Sequence, residues 1–280
     1  MRIITLNANG IRAAHKKNLP IWLAKQKADF VCLQEVRAKN EQLGAEDFWP
    51  AGFRCHYLES NKAGYSGVAI YSRYEPDEVV EASGYMPFDV EGRYLEFRVG
   101  DLSVISLYLP SGTSGDERQT FKYGCMEYLL EHMRAMVKSD RHYVICGDWN
   151  IAHKQIDIRN WRSNQKNSGF LPEERAWLDR LYDEVGMVDV FRQLDADADR
   201  YTWWSNRGQA WANNVGWRLD LQVATPTLAS MAKRTAIYVD ERFSDHAPLT
   251  IDYDYNVGRR RIASSRRLNH TKSGSLTKES

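Results

Sequence analysis

The most informative stretch of this chain is Tyr143-Val144-Ile145-Cys146-Gly147-Asp148-Trp149-Asn150. An apolar run of strand length stops at Gly147, and a carboxylate and a carboxamide follow, two residues apart. Side chains at positions i and i+2 of an extended backbone share one face, so Asp148 and Asn150 can converge on one target. The alternative is a strand that enters a turn rich in Asp and Asn and has no further role. The rest of the chain has to decide between these two interpretations.

Length and composition favour one large domain or two smaller ones. The 280 residues are 43% hydrophobic, which is enough to bury a substantial core. The cysteines show no metal-site spacing and predict reduced thiols in a cytoplasmic protein; they are Cys32, Cys55, Cys125 and Cys146. No apolar run reaches transmembrane length and the N-terminus is typical of a strand. We therefore expect no membrane association and no signal peptide.

Charge is unevenly distributed along the chain. Residues 259–280 hold seven Lys or Arg and one Glu and so carry +6, and because the whole chain carries +1, the preceding residues carry −5. The segment 258–280 is rich in Arg, Ser and Lys and has almost no apolar residues. This composition predicts a disordered basic tail after a domain of residues 1–257. The mildly acidic body still leaves room for a local basic groove.

Stretches typical of strands outnumber stretches typical of helices. Strands are predicted at Met1–Leu6, Phe30–Glu35, Gly67–Ser72, Tyr94–Val99, Leu102–Leu109, Tyr143–Cys146, Arg218–Val223 and Ala247–Tyr255, and helices at Leu19–Lys27, at Phe121–Lys138 and from Phe170 onward. Residues 201–217, dense in tryptophan, are predicted to form a loop. Two β-rich runs, each with an inserted helix, favour two sheets packed face to face with helices outside. The predicted fold class is α+β, a four-layer α/β/β/α sandwich.

Polar residues of one chemical kind follow these predicted strands. They are Asn7 and Asn9, Glu35, Asp148 and Asn150, Asp220, and Asp245 with His246, to which Tyr108 adds a phenol and Arg93 a cation. Carboxylate and amide oxygens suit Mg²⁺ or Mn²⁺, and the lack of Cys/His clusters in the sequence argues against zinc. Phosphodiester hydrolysis needs such a metal, a group that orients water, and cations that oppose developing charge. Each residue alone is more often structural, and it is their joint occurrence that favours a site.

Several segments resemble motifs of the endonuclease/exonuclease/phosphatase superfamily, and more closely those of its exonuclease III, or class II apurinic/apyrimidinic endonuclease, family. They are Leu6–Arg12, Leu33–Glu35, Gly147–Ile151 and Ser244–Pro248, with Phe170–Arg180 and Gly216–Asp220 also similar. The similarity runs from Met1 to about Tyr255. It implies a Mg²⁺-dependent phosphodiesterase, with Mn²⁺ as a substitute ion, that cuts DNA 5′ to abasic sites. Further implied activities are 3′→5′ exonuclease and 3′-phosphodiesterase, and we expect a monomer.

The resemblance also implies a role for each position. For the metal, Glu35 is expected to be the principal ligand, with Asn7, Asn9 and Asp245 near it. For catalysis, Asp148 is expected to activate or position the attacking water, and Asn150 to hold the phosphate or that water. His246, oriented by Asp245, is expected to polarise the phosphate or to act as acid or base. Tyr108 and Asp220 are expected to lie near the leaving group. For the substrate, Arg93 is expected on the DNA backbone and Trp203, Trp211 and Trp217 around a flipped-out sugar, with Trp204 in the core.

A second resemblance implies a different function. The segments Leu109–Glu117, Ile151–Lys154, Asn160–Arg162 and Arg242–Leu249 are similar to those of the catabolite repression control regulators of pseudomonads, which share this fold and act with an RNA chaperone in translational repression. In this alternative the protein is not an enzyme, and the basic tail contacts RNA. Such regulators have lost several catalytic carboxylates, which this chain keeps. Clustered acids repel one another unless a cation offsets them, so their retention favours the enzyme. A phosphatase of small phosphoesters is a third alternative, which the tryptophan-rich pocket disfavours.

Overall fold

The computed structural model describes residues 1–263 and contains two six-stranded sheets. The first sheet consists of β1 (Arg2–Asn7), β2 (Phe30–Gln34), β3 (Arg54–Leu58), β4 (Val68–Ser72), β13 (Ala232–Ile237) and β14 (Leu249–Tyr253), in the spatial order β13-β14-β1-β2-β4-β3. β1 and β2 are parallel and place Asn7 opposite Gln34. β14 runs antiparallel to β1, with Leu249 opposite Thr5. The residues that precede β14 therefore lie beside the end of β1.

The second sheet is built in the same way. Its strands are β5 (Glu78–Val80), β6 (Tyr94–Val99), β7 (Leu102–Tyr108), β8 (His142–Asp148), β9 (Val188–Asp189) and β12 (Asp220–Ala224), in the order β5-β6-β7-β8-β12-β9. Parallel pairing of β7 with β8 places Tyr108 opposite Asp148. Antiparallel pairing of β12 with β8 places Asp220 opposite the same residue. A separate two-stranded ribbon pairs β10 (Trp203–Trp204) with β11 (Gly216–Trp217).

Helices cover both sheets and close the ends of the sandwich. The α-helices are α1 (Ile11–His15), α2 (Leu19–Lys25), α3 (Met86–Asp89), α4 (Asp116–Lys138), α5 (Trp161–Asn164), α6 (Pro172–Asp179), α7 (Val190–Leu194) and α8 (Pro226–Ala229), and a π-helical segment, Arg180–Val185, continues α6. Single 3₁₀ turns occur at Asn40–Gln42, Glu46–Phe48 and Gln155–Asp157. Across residues 1–263, no helix combines the length and apolarity that a membrane span requires.

Three hydrophobic clusters define four layers. One lies between the sheets and contains Ile3 and Phe30 of the first sheet and Val104 and Val144 of the second. A second lies between the outer face of the second sheet and helices α4 and α6. A third lies between the outer face of the first sheet and helices α1 and α2. Strands buried on both faces are almost continuously apolar, which explains why β2 and β8 could be predicted from sequence. The predicted α/β/β/α sandwich is confirmed.

The structure contains elements that the sequence patterns did not reveal. β3, β5, β9 and β13 were missed. β13 lies at the edge of its sheet, where Lys233 and Arg234 face solvent and remove the apolar alternation. Helix α4 begins at Asp116, not at the predicted Phe121. The prediction missed the first turn of the helix because that turn is polar and follows Gly115. The stretch 201–217, expected as a loop, holds the ribbon of β10 and β11. Edge strands and polar first turns lack the periodic apolar signal on which such predictions depend.

The start of the predicted tail binds to the sandwich. Arg259 pairs with Asp77 at 3.1 Å, and Arg261 donates a hydrogen bond of 2.6 Å to Asp29. The backbone N–H of Ile262 donates to the carbonyl of Arg73 at 2.7 Å. Three residues of the predicted tail, Arg259, Arg261 and Ile262, therefore contact the folded domain, and the boundary at residue 257 stays a prediction. Residues 264–280, which include the rest of the predicted basic tail, lie outside the described part of the chain.

Candidate active site

The predicted site residues meet at one edge of the sandwich. Asn7 ends β1, Asp148 ends β8 and Asp220 begins β12, while Glu35 follows β2 directly. The two parallel pairs point their carboxyl ends at this edge, and the antiparallel strands β12 and β14 begin there. Three site residues adopt the left-handed backbone conformation that is usually reserved for glycine, with φ of 44° at Asn9, 49° at Glu35 and 51° at Asn150. Such conformations cost free energy and occur preferentially at functional sites.

Two carboxylates and an imidazole form the centre of this edge. His246 Nδ1 lies 2.8 Å from Asp220 Oδ2, and His246 Nε2 lies 3.8 Å from Asp148 Oδ2. All three side chains are buried. Asp220 Oδ1 is buried and has no hydrogen-bond partner. The resemblance implied that Asp245 orients His246, and the structure corrects this: Asp220 is the carboxylate that contacts Nδ1.

The buried groups shift one another's protonation. Burial raises the pKa of Asp148 to about 7, and the negative charges of Asp220 and Glu35 add to this rise, while His246 and the hydrogen bond from Asn7 oppose it. Burial of the His246 ring acts to lower its pKa, but Asp220 and Asp148 outweigh burial and raise the pKa to about 10. At neutral pH the ring is therefore an imidazolium between two carboxyl groups, and Asp148 is close to its titration midpoint.

Amide side chains hold the carboxylates in place. Asn7 donates from Nδ2 to Asp148 Oδ2 at 2.8 Å, and the backbone N–H of Asn150 donates to Asp148 Oδ1 at 2.9 Å. Asn9 Nδ2 donates to Asp245 Oδ1 at 2.7 Å. Burial acts to raise the pKa of Asp245, but the charge of His246 and the hydrogen bond from Asn9 keep it below its ordinary value. Asp245 is therefore ionised at neutral pH, where it can contribute to binding a cation.

Glu35 is held by a phenol and a guanidinium. Tyr108 donates its hydroxyl to Glu35 Oε1, and Arg37 lies 2.6 Å from Glu35 Oε2. Burial raises the pKa of Tyr108 well above its usual value, and the charges of Glu35 and Asp148 raise it further. Tyr108 is therefore a neutral hydrogen-bond donor throughout the ordinary pH range.

The position of Arg93 corrects one expectation. Its side chain is buried, with its guanidinium 4.4 Å from the centre of the Tyr108 ring. It donates to the Tyr108 carbonyl at 3.0 Å, to Tyr65 at 3.0 Å and to Glu91 at 2.5 Å. A covered guanidinium with three protein partners does not present itself to a DNA backbone. Arg93 instead supports Tyr108 from behind.

The tryptophans fall into two groups. Trp203 and Trp217 contact each other edge to face at 6.0 Å, and Trp203 donates from Nε1 to Asp245 Oδ2 at 3.2 Å. Trp211 instead packs on Trp204, with ring centres 4.3 Å apart, beside a separate hollow of about 300 Å³. Trp204 is buried, as expected for a core residue. Of the three tryptophans predicted to line one pocket, only Trp203 and Trp217 are brought together beside the catalytic edge.

Several residues that shape the site were missed by sequence reasoning. Arg37 forms an ion pair with Glu35. The one indication of this pair in the sequence was that the two residues are two positions apart. Lys122, in the middle of α4, is completely buried and bonds to the carbonyl of Asn150. Arg218, two residues before Asp220, is also completely buried and pairs with Asp157 and Asp189. A charged residue in an amphipathic pattern gives no sign of burial, because most such residues face solvent.

The donors at this edge fit a hard divalent cation. Asp148, Asp220 and His246 each offer an atom within 4.8 Å of the others, and among residues 1–263 they are the acidic and histidine side chains grouped closely enough to hold a metal. Because the His246 ring is protonated at neutral pH, the oxygens of Asp148 and Asp220 are the atoms of this group that can bind a cation. Glu35 and Asp245 add two more carboxylates at the same edge. The unpartnered Asp220 Oδ1 and the crowding of like charges are both consistent with a nearby cation. The metal ligands predicted from sequence, Asn7, Asn9, Glu35 and Asp245, surround this group.

Two packed sheets with such an edge define a class of protein, the hydrolases of phosphate esters that place their site at the strand ends of a β-sandwich. The chain belongs to the Endonuclease/Exonuclease/phosphatase family, whose model matches residues 4–246. It is 33% identical over 253 residues to the exodeoxyribonuclease of Bacillus subtilis, an alignment that covers 90% of this chain and 98% of that protein. It is 35% identical over 258 residues to the DNA repair nuclease APEX1 of Danio rerio, covering 90% and 81%.

Solved structures agree with these relatives. The 3′-5′ exonuclease NExo of Neisseria meningitidis superposes with a TM-score of 0.82 at 27% identity and covers 91% of this chain and 100% of its own. An AP endonuclease of Archaeoglobus fulgidus gives a TM-score of 0.81 at 28% identity, with the same coverage. The predicted family is confirmed. None of these findings supports the alternative of a catabolite regulator.

Proposed function

We propose that this protein is a metal-dependent DNA-repair nuclease that hydrolyses the backbone 5′ to abasic sites. The observation that carries the proposal is the buried Asp148, held by Asn7 and Asn150 and facing the imidazolium of His246 across 3.8 Å. Relatives named as exodeoxyribonuclease, DNA repair nuclease and AP endonuclease support it. The 3′-5′ exonuclease among the similar structures supports a second activity at 3′ ends. We also propose that the protein works as a cytoplasmic monomer.

Mg²⁺ is the proposed cofactor, with Mn²⁺ able to replace it. Glu35 and Asp245 would hold the ion, with Asn7 and Asn9 beside them, because hard carboxylate and amide oxygens are the ligands that Mg²⁺ prefers. When bound, the ion would supply Lewis-acid polarisation of the phosphate. Arg37 already neutralises part of the charge on Glu35, at 2.6 Å, so the cluster need not carry its full negative charge without the ion.

Each protein group has a defined task in this proposal. Asp148, with a pKa of about 7, accepts a proton from the attacking water, because a base is most effective when its pKa is near the working pH. His246 is held at Nδ1 by Asp220 and donates from Nε2 to a phosphate oxygen, where negative charge grows during the reaction. Tyr108 remains neutral near the leaving oxygen, with its one O–H donated to Glu35. Asn150 fixes Asp148 through its backbone N–H, and its Nδ2 donates to the Leu109 carbonyl and to Asp148 Oδ2. Its Oδ1 is left to accept a hydrogen bond from the water.

Cleavage of an abasic duplex tests the proposal directly. The purified full-length protein is incubated with a 5′-labelled duplex that carries a stable abasic analogue, with Mg²⁺, with Mn²⁺ and with EDTA. We expect a single cut immediately 5′ to the analogue with either ion, none with EDTA, and recovery when excess Mg²⁺ is added. The same duplex without the abasic position is the matched control, on which only slow shortening from the 3′ end is expected.

Failure would take a clear form. If a control nuclease cuts the duplex and this protein does not with either ion, the proposed activity is wrong. Hydrolysis of p-nitrophenyl phosphate at a comparable efficiency would instead favour a phosphatase of small substrates. The RNA-binding regulator has no observation in its favour among residues 1–263, and its proposed RNA contact falls on the tail beyond them.

The two tryptophan groups predict different effects on substrate binding. Trp203→Ala is expected to raise KM for the abasic duplex about tenfold or more, because an aromatic side chain that contacts an unpaired nucleotide contributes strongly to binding. Trp211→Ala, which changes the separate pair with Trp204, is expected to change KM by less than about threefold. Steady-state kinetics on the abasic duplex measures both, with circular dichroism to confirm folding. Equal effects of the two substitutions would mean that both groups, or neither, contact the substrate.

A further inference from the structure

A lysine and a glutamate form a completely buried ion pair behind the catalytic edge. Lys122 of α4 and Glu174 of α6 are both inaccessible to solvent, and Lys122 Nζ lies 2.5 Å from Glu174 Oε1. The mechanism above uses neither residue. Buried ion pairs add little stability compared with apolar residues of the same volume, because desolvation offsets their attraction. The pair therefore needs an explanation in terms of what else it contacts.

Lys122 contacts the backbone of Asn150. Its Nζ donates a second hydrogen bond, of 2.8 Å, to the Asn150 carbonyl. Asn150 has a left-handed backbone, with φ of 51°, which costs free energy for any residue except glycine. Its side chain donates to the Leu109 carbonyl at 2.9 Å, and its N–H donates to Asp148 at 2.9 Å. Lys122 thus holds a strained residue in the conformation that lets it bond to the proposed base.

Glu174 contacts the neighbouring turn. Its Oε2 accepts hydrogen bonds from the N–H groups of Gly169 at 2.6 Å and Leu171 at 3.0 Å. Gly169 has a φ of +94°, and a Cβ at this position would lie 3.1 Å from the Asn150 carbonyl oxygen and 3.2 Å from the Trp217 ring. The Gly169 carbonyl in turn accepts from the N–H of Ala152. The turn that Glu174 fixes is therefore packed against both Asn150 and a pocket tryptophan.

We propose that Lys122 and Glu174 are positioning residues, which hold the backbone of Asn150 so that Asp148 and Asn150 have the geometry that the reaction requires. This inference rests on the proposed function, because it assigns the pair to that same site. Small displacements of a catalytic group lower the rate steeply, while a fold that keeps its core tolerates them. The pair should therefore affect turnover far more than it affects substrate binding.

The test separates positioning from stability. Lys122→Met leaves a buried carboxylate without its cation and is expected to lower stability, whereas Lys122→Met with Glu174→Gln has no buried charge and keeps an acceptor for the Gly169 N–H. We expect the double variant to regain most of the lost stability in urea unfolding, because neither partner is left as an unpaired charge. We still expect its kcat on the abasic duplex to be lowered about tenfold to a hundredfold, with KM changed less than about threefold.

A surface ion pair between the same helical elements is the matched control. Glu127 of α4 lies 2.8 Å from Arg180, directly after α6, and both are exposed. Glu127→Gln is expected to leave kcat unchanged. A double variant that is as stable as the wild type and cuts equally fast would overturn the inference, and wild-type cleavage in the same assay shows that the proposed function itself stands.

Hydrogen exchange gives a readout that does not need activity. In the double variant the amides of Asn150 and Ala152 should exchange faster than in the wild type, while amides in the middle of β8 should not. Unchanged exchange at both amides would overturn the inference even if the wild-type protein cut no substrate. Should the double variant fail to fold, Lys122→Met and Glu174→Gln are compared at a temperature where both are folded. A lower kcat for Lys122→Met is then expected, because only this change removes the donor to Asn150, and wild-type kcat values for both variants would overturn the inference.

Discussion

Replacing Asp148 with asparagine is expected to lower the rate of abasic-site cleavage by about a hundredfold to ten-thousandfold, the range by which a positioned general base contributes. Asparagine keeps the size of the side chain, but its one carbonyl oxygen can replace only one of the two oxygens that accept from Asn7 and from the Asn150 N–H. It cannot take a proton from water. The loss should therefore appear in kcat with little change in KM, as measured by single-turnover and steady-state kinetics on the abasic duplex. A kcat within about threefold of the wild type would show that another group is the base.

The same substitution should change how stability depends on pH. The folded-state pKa of Asp148 is raised from 3.8 to about 7, so Asp148 contributes stability that is fully present below about pH 4 and is lost as pH rises through 7. The pKa of His246 is raised from 6.5 to about 10, so its contribution is present below about pH 6.5 and is lost as pH rises toward 10. Metal-free wild-type protein should therefore lose stability from these groups between pH 4 and 10. Asp148→Asn removes the first contribution and weakens the second.

Urea unfolding in EDTA at pH 5 and pH 8 measures this difference. The free energy of unfolding should fall less from pH 5 to pH 8 in Asp148→Asn than in the wild type. Asp77→Asn, which changes an exposed carboxylate paired with Arg259, is the control and should keep the wild-type slope. Equal slopes for all three proteins would contradict the assigned protonation of Asp148. In the wild type, cleavage should also rise with pH as Asp148 loses its proton, opposite in direction to stability.

The sequence predicted which residues lie at the site better than it predicted which of them contact one another. Strand ends delivered Asp148, Asn150 and Glu35 to one edge because buried strands are visible in sequence and parallel strands end together. The partner of His246 was not visible. Asp245 precedes it directly, yet neighbours on an extended chain point in opposite directions. The register of β12 against β8 places Asp220 opposite Asp148, and the packing of the two sheets brings the residues before β14, with His246, against Asp220. Such a contact depends on long-range pairing and on the packing of the two sheets, which no local pattern encodes.

Burial of charge was the other hidden property. Arg93, Lys122 and Arg218 look like surface residues in sequence, but each is enclosed and bonded to protein groups. The resemblance grouped Trp211 with Trp203, whereas the structure places the two rings in different clusters. What decides these positions is which side chains meet across loops and sheets. Arg93, Lys122 and Arg218 are each bonded to protein groups, an arrangement that only tertiary contacts can reveal.

Arg218→Met is expected to cause the largest loss of stability among single changes near the site, about 3–5 kcal/mol, because it leaves buried carboxylates without their cation. Arg218 Nε lies 2.7 Å from Asp157 Oδ1, and another nitrogen of the same guanidinium lies 2.7 Å from Asp189 Oδ2. Arg192 also pairs with Asp157, at 2.8 Å, so Asp189 is the carboxylate that loses most. Urea unfolding at pH 7 measures the change. Arg180→Met, which removes an exposed pair with Glu127, should cost at most about 1 kcal/mol.

The dependence of stability on acidic pH tests whether the lost ion pairs explain the effect of Arg218→Met. Burial acts to raise the pKa of Asp157, but Arg218 and Arg192 outweigh it and hold the pKa well below its ordinary value of 3.8. A depressed pKa gives stability that is present above about pH 4 and is lost as pH falls through the folded-state pKa. In Arg218→Met the pKa of Asp157 is lowered less, so the variant should lose less stability than the wild type on acidification. The difference in free energy of unfolding between the two proteins should therefore become smaller below pH 4. A gap that stays constant from pH 7 to pH 3 would mean that lost packing, and not the unpaired carboxylates, explains the effect of Arg218.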